Sequence, residues 1–313
     1  MTCVEPTNVI SIADLGCTTG PNTIIVMQTI TEAIENQYYK TVQKLSAQQI
    51  PEFQVIFNDQ VSNDFNTLFK RLPPNRNYFA SGVPGSFHGR LFPKKTLHFV
   101  HSASTLHWLS RVPKEITDRS SSAFNKGRIH YINAPKEVQD AYAAQYRTDF
   151  ENFLHARAQE LVSNGLMALQ IATVPDVILE SDIHPARVYE LLGSTLMEMT
   201  KEGRVSEEKV DSFNVPLFYS PAKNLKEILE KNESFSVEQM ETLKVEEFYE
   251  APNASNFVSM LRAFLGDLIE QHFGGGIVDE LFDRFTHKVV EFPDIMNPKK
   301  LKLVMLFVIK CNN

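Results

Sequence analysis

The chain has 313 residues, of which 43% are hydrophobic and 22% charged, with a formal net charge of −7 and a pI near 5.8. This is the composition of a globular protein with a large core, and its acidic balance argues against nucleic acid as the main partner, because phosphate backbones would be repelled. No apolar run reaches the ~18 residues of a membrane span, the opening MTCVEPTNVI lacks the features of a signal peptide, and Cys3, Cys17 and Cys311 show no metal-ligand spacing, so a reducing, cytoplasmic setting is expected.

Short apolar runs bounded by turn residues predict buried strands at Val9–Leu15, Gln54–Phe57, Leu97–His101, Leu166–Thr173 and Leu303–Ile309. They lack polar alternation, as in a sheet covered on both faces. Between the first two, Ile24, Met27, Ile30 and Ile34 recur at helical spacing and predict a helix over Thr23–Lys40. Strand, helix, strand begins a right-handed crossover in a parallel sheet. Further helices are predicted at Lys136–Val162, Pro185–Gly203, Ser220–Asn232 and Asn253–Phe273, with Asn164-Gly165 as a stop before the next strand. Leu72–Asn75 and Phe292–Pro298 read as loops, and the last apolar run is expected to close the sheet as an edge strand. The expected division is a sheet domain of residues 1–110, 155–178 and 234–250 with 299–313, and a helical cap of residues 111–154, 179–233 and 251–298.

The chemistry concentrates at strand ends. In ADLGCTTGPN, Asp14 ends the first strand, Gly16 and Gly20 permit a tight turn, and a helix follows. An acid there would repel a phosphate, and the dinucleotide pattern G-x-G-x-x-G is absent. The arrangement suits a ligand with an ammonium group and no phosphate, although a turn without a ligand gives the same pattern. Asp59, at the end of the second strand, stands where a ribose diol is commonly held; alone it would be a turn residue. The loop Gly82–Phe87 could present the Ser86 hydroxyl and the Phe87 ring to an adenine, or be only a loop. His98 and His101 lie on one strand at odd spacing, facing opposite sides, which argues against a zinc site with His107. The hydrolase pattern G-x-S-x-G is absent.

The stretches ADLGCTTGPN, FNDQVSNDFNTLF, GVPGSFHGRLFP, HFVHSASTLHWLSRVPKEI, FNKGRIHY, RAQELVSNGLM and VDSFNVP together resemble the plant carboxyl methyltransferases of the salicylate, benzoate and theobromine (SABATH) family, over nearly the whole chain. The His107-Trp108 pair, with its KEITDR and NKGRIHY context, points within the family to the loganate branch, although jasmonate and indole-acetate enzymes also carry a His-Trp pair. The resemblance implies an α/β fold, a Rossmann-like class I methyltransferase sheet with an inserted helical cap, usually homodimeric, using S-adenosylmethionine to convert the carboxylate of a small plant acid to its methyl ester. Beside the Asp14 read from the strand end, it implies cofactor contacts from Cys17 and Asn22, with Asp59 at the ribose and Gln60 beside it, and Ser86 and Phe87 at the adenine. Gln60 departs from the usual Leu. Substrate contacts map to Ser104, often Tyr in relatives, and to His107 and Trp108. The resemblance also carries a Mg²⁺ assignment at Asn125, Asp211, the Phe213 backbone and Asn214, hard oxygen donors that would equally form a structural hydrogen-bond cluster.

Family members begin with a longer N-terminal segment carrying a Tyr, a Ser and a Gln that cover the cofactor and clamp the acid. Against that pattern the expectation for this chain is weak or absent activity on a surviving fold. N-methylation of a xanthine-like heterocycle and a catalytically silent binding protein are the competing readings. Pocket residues expected from the cap are Tyr189, Phe218, Met260 and Phe264.

Overall fold

The computed structural model describes residues 9–41, 51–174, 184–243, 253–296 and 303–312. Among them a seven-stranded sheet has the order β3-β2-β1-β4-β5-β7-β6. Its strands are β1 (Val9–Leu15), β2 (Glu52–Asp59), β3 (Phe79–Pro84), β4 (Leu97–Ala103), β5 (Leu161–Thr173), β6 (Phe235–Leu243) and β7 (Leu303–Cys311). β1 to β5 pair parallel, and β7 runs antiparallel between β5 and β6. β7 is therefore an inner strand, against the expectation that it would form the edge. The edges are β3 and β6, which the apolar pattern missed for one reason: both are largely exposed, so neither carries an apolar run. β3 even includes Pro84, which an edge strand tolerates.

α1 (Pro21–Thr41) opens with proline in its first turn, where the missing N–H costs nothing. It buries Met27 against Ile12, Val55, Phe57 and Leu68 on one sheet face. Ala13 and Leu15, alternate along the same strand, enter the core on the other face. That second core includes Val138, Tyr142, Phe150, Phe153 and Leu154 of α3 (Lys136–Glu160), and Leu225, Ile228 and Leu229 of α6 (Ala222–Glu230). Residues 136–154 and 222–230 were expected in the cap, yet they pack in one cluster with the sheet. α3 also ends earlier than expected: β5 starts at Leu161, and Asn164 (φ 63°) with Gly165 lies in an irregular start of that strand instead of stopping the helix.

A separate core joins α4 (His184–Lys201), α5 (Glu207–Ser212), α7 (Ala254–Phe273) and α8 (Gly275–Glu291), through Leu192, Leu196, Val210, Leu265, Phe282 and Phe285. α2 (Phe65–Arg71), capped by Asp64 on the Thr67 N–H, was not anticipated from sequence. Within the expected loop Phe292–Pro298, Pro293–Met296 forms a 3₁₀ turn; residues 297 and 298 lie outside the described residues, as does Cys3. No helix among the described residues is long and apolar enough to cross a membrane.

Strand order reverses where β1 stands between β2 and β4. At that switch point the carboxyl ends of parallel strands open a crevice, the usual ligand site of such sheets.

Candidate active site

At the crevice, Leu15 of β1 stands opposite Asn58 of β2. The Asn58 carbonyl accepts the N–H groups of Gly16 (2.9 Å) and Cys17 (3.0 Å). Its side-chain amide donates to the carbonyls of Val83 (2.8 Å) and Gly85 (3.0 Å). One fully buried residue thus ties together the glycine turn, the end of β2 and the end of β3; of the expected Gly82–Phe87 loop, Gly82–Pro84 is the last part of that strand and only Gly85–Phe87 lies beyond it. The Asn58 side-chain oxygen is buried with no hydrogen-bond partner, an acceptor that a ligand N–H or O–H would satisfy.

Asp14 is 3% exposed. The in-register pairing of Asp14 with His101 sets their side chains side by side, and His101 Nδ1 lies 2.7 Å from Asp14 Oδ1. The Thr23 hydroxyl, from the first turn of α1, donates to the other oxygen. The carboxylate therefore stands as a fixed negative charge behind the turn, its oxygens held by protein groups.

Asp59 is half-buried; Oδ2 accepts the Thr18 N–H and Oδ1 the Gln60 N–H, each at 2.7 Å. A carboxylate oxygen has two lone pairs, so each retains acceptor capacity. Gln60 and Asn22 are exposed. Cys17 lies under the influence of both acids: burial, then the charges of Asp14 and Asp59, push its thiol pKa far above the usual range. The two strand-end acids therefore flank one buried side chain.

Gly16 has φ 82°, and a Cβ there would stand 2.1 Å from Thr105 Cγ2. Thr105 is also tied to Ser102 Oγ (2.6 Å) and to the Leu15 carbonyl (3.3 Å). The glycine turn consequently packs on the segment that leads to Trp108, whose own N–H donates to the Thr105 carbonyl (3.0 Å). Ser104, expected at the substrate, is exposed with φ 54°.

His107 is buried and stacks on Tyr219, with centroids 5.3 Å apart and planes 16° apart. Half-buried Trp108 meets Phe264 of α7 at 4.8 Å. The Tyr219 and Tyr189 hydroxyls lie 3.2 Å apart. The aromatic wall beside the crevice thus draws on the β4 turn, α4, α7 and the segment before α6. Of the cap residues singled out from sequence, Tyr189 and Phe264 join this wall. Phe218 packs instead on Tyr131 and Tyr146, and Met260 is exposed. Ser86 is exposed, whereas the Phe87 ring is buried edge-on against Phe153 (6.3 Å).

Of the four residues expected at a metal, Asn125 and Asn214 are joined by a hydrogen bond, whereas Asp211 bonds to a neighbouring backbone group. Asn125 Nδ2 donates to Asn214 Oδ1 (2.7 Å) and to the His130 carbonyl (3.1 Å), and Asp211 Oδ1 accepts the Gly127 N–H (2.8 Å). Phe213, between Asp211 and Asn214, is buried in the cap core. Asn125 Oδ1 is buried without a partner, so one hard oxygen and a partly used carboxylate lie on this cluster. Among the described residues no group of three or more His, Cys, Asp or Glu forms a metal set.

Asn58, Thr18, Thr23, Thr105 and Tyr219 were not singled out from sequence. Asn58, Thr18 and Thr105 stood inside the motifs already quoted, but the pairings that give them work join distant segments: Thr18 to Asp59, 41 positions away, and Thr105 to Leu15, 90 positions away.

Comparison with known proteins supplies the context. Residues 1–311 match the profile of a family described as SAM dependent carboxyl methyltransferase. Loganic acid O-methyltransferase of Catharanthus roseus is 45% identical over 288 residues, 92% of this chain and 76% of that protein. Caffeine synthase 1 of Camellia crassicolumna is 39% identical over 307 residues, 94% of this chain and 82% of that protein. A solved structure of loganic acid methyltransferase with SAH superposes with a TM-score of 0.92 at 42% identity, covering 99% of this chain and 86% of that one. The fold is accordingly the Rossmann-like class I methyltransferase sheet with its helical cap. With the match running over nearly its whole length, this chain belongs to the SAM dependent carboxyl methyltransferase family.

Proposed function

We propose that the chain methylates the carboxylate of a small plant acid, with the donor held over the β1–β2 strand ends and the acid held against Trp108 and His107. The observation that carries this reading is the packing of Gly16 on Thr105, which sets the donor turn directly against the acceptor turn. S-adenosylmethionine supplies an electrophilic methyl group on a sulfonium centre. The donor set fits it: Asp59 keeps acceptor capacity for two ribose hydroxyls, Asn58 Oδ1 offers a buried acceptor, and Asp14 adds negative charge behind the turn. Cys17 and Asn22 line the turn, Gln60 stands beside the ribose, and Ser86 with Phe87 bounds the adenine side.

A carboxylic acid with a pKa of about 4 is ionised at neutral pH, so no residue has to remove a proton. The work of the site is to orient the carboxylate oxygen and exclude water, and orientation alone is worth several kcal/mol. The Trp108 indole N–H can only donate, which suits a carboxylate oxygen; His107 offers a second bond to the acid, and Ser104 stands at the rim. In this division of labour the sheet domain holds the donor, and α4, α5, α7 and α8 form the cap over the acceptor.

A divalent cation such as Mg²⁺, where bound, would be held by Asn125 Oδ1 and the Asp211 carboxylate, with Asn214 and the Phe213 backbone beside them; it would brace the cap. A cytoplasmic homodimer completes the reading; the exposed apolar Met260 of α7 supports the pairing of two copies. Light scattering gives the oligomeric state directly.

The test pairs calorimetry with S-adenosylmethionine and a methyl-transfer assay on a panel of small acids that includes loganate and xanthines. Donor binding with esterification of an acid supports the reading; transfer to xanthines alone replaces it with N-methylation. Undiminished turnover by Trp108→Phe removes Trp108 from the clamp.

A further inference from the structure

α3 carries a polar ladder inside an otherwise apolar core. Arg157 and Glu160, both fully buried, form an ion pair through Arg157 Nε and Glu160 Oε2 at 2.7 Å. The remaining polar atoms of the pair go to a single loop. Arg157 Nη1 donates to the Phe87 carbonyl (3.0 Å) and Nη2 to the Gly89 carbonyl (2.8 Å). Glu160 Oε1 accepts the N–H groups of Leu91 (2.6 Å) and Phe92 (3.0 Å). The Arg157 guanidinium also lies 5.2 Å from the Phe153 ring, against which Phe87 packs. Three turns before Glu160 on the same face, buried Asp149 accepts the N–H (2.8 Å) and hydroxyl (2.7 Å) of Ser110 and the Gln145 amide (2.9 Å). Ser110 lies two residues beyond Trp108. Half-buried His88 belongs to the loop; burial lowers its pKa, and Asp149, Arg157 and the Trp108 backbone act on its ring.

A buried ion pair is a weak way to hold a helix on a sheet, because desolvation consumes most of the Coulomb gain. Burial indeed lowers the Arg157 pKa, with Glu160 opposing it. Phe150, Phe153 and Leu154 already provide apolar adhesion. What the charges add is direction, since a planar guanidinium and a carboxylate fix four backbone groups of one loop in one arrangement. The helix between Asp149 and Glu160 is a rigid spacer of about 16 Å.

We propose that α3 is the strut that fixes the methyl donor relative to the acceptor, with Arg157 and Glu160 positioning the Phe87–Phe92 loop and Asp149 positioning the Trp108 turn. This rests on the reading of that loop as the adenine side and of Trp108 as the acceptor side. All three are positioning residues, acting through backbone groups of the two loops.

The test uses S-adenosylhomocysteine as the donor-site probe and Trp108, the only tryptophan of the chain, as a fluorescent probe of the acceptor turn. Arg157→Met/Glu160→Met removes both charges together, so neither is left unpaired in the core. It is expected to fold, to bind S-adenosylhomocysteine at least about tenfold more weakly by calorimetry, and to keep the wild-type tryptophan emission. Asp149→Leu is expected to do the converse, shifting the emission and leaving donor-site affinity within about twofold. Ser86→Phe, which adds bulk to the exposed side of the loop, checks the loop reading. If Ser86→Phe weakens binding and the folded double variant does not, the strut is refuted while the loop reading stands. If neither changes binding, the loop is not at the donor, and both fall. Should the double variant fail to fold, Glu160→Gln, which keeps an acceptor for the two loop N–H groups but loses the ion pair, carries the same comparison; wild-type affinity there overturns the proposal.

Discussion

Replacing Gly16 by alanine tests the contact that joins donor and acceptor turns. At φ 82° a side chain costs about 1 kcal/mol or more in backbone strain. The added Cβ would also stand 2.1 Å from Thr105 Cγ2 and 2.8 Å from its Cβ, so the Thr105 side chain must leave its place. Doing so breaks its hydrogen bonds to Ser102 Oγ and the Leu15 carbonyl, each worth about 1 kcal/mol. The sum is a loss of about 3 kcal/mol in urea denaturation. Thr105→Ala alone forfeits the two hydrogen bonds, about 2 kcal/mol, but in the Gly16→Ala background those bonds are already lost. The double variant is therefore expected to be no less stable than Gly16→Ala, with a coupling of about 2 kcal/mol between the two sites. Rescue is partial, because the 2.8 Å contact with the residue-105 Cβ and the strained φ both persist. Strict additivity of the two changes, or a Gly16→Ala protein as stable as wild type, would refute the packing argument and with it the coupling of the two turns.

Arg157→Ala leaves the Glu160 carboxylate buried without its partner and should cost about 3–5 kcal/mol, read as a lowered urea midpoint at unchanged m. His130 is fully buried, with its pKa pushed down to about 3 by desolvation. It stays neutral in the fold, while the unfolded chain takes up a proton below about 6.5, so stability should fall as pH drops from about 6.5 towards 3, by up to about 1.4 kcal/mol per pH unit from this residue. His130→Gln should flatten that limb of the stability curve by about one proton; an unchanged slope would show that His130 does not hold its proton off. Burial and the neighbouring acids keep the Cys17 thiol protonated, so peptide mapping after iodoacetamide at neutral pH should find it unmodified while free thiol added as a reference is consumed. Asp59→Ala should weaken S-adenosylhomocysteine binding by about tenfold or more in calorimetry, since the carboxylate that accepts the two ribose hydroxyls is lost; equal affinity would remove Asp59 from the ribose.

Much of this protein is legible without coordinates. β1, β4, β5 and β7 are apolar runs because both faces of the inner sheet are covered, and α1 shows its buried stripe through Ile24, Met27, Ile30 and Ile34. The acids at positions 14 and 59 and the glycine turn follow from chain order alone, since a parallel sheet must bring consecutive strand ends to one edge. β3, β6 and α2 escaped because exposed edges and short helices leave no periodic signal.

What only the tertiary structure decided is who holds whom. Nothing in the sequence tells that Asp14 spends its oxygens on Thr23 and His101, that α3 packs on the sheet, or that Arg157 and Glu160 serve a loop some 70 residues away. Local pattern fixes which residues are buried, because burial follows from hydrophobicity and period. It does not fix the partners of buried polar groups, because those are chosen by strand order and register among elements far apart in the chain, and at this site the partners set the geometry.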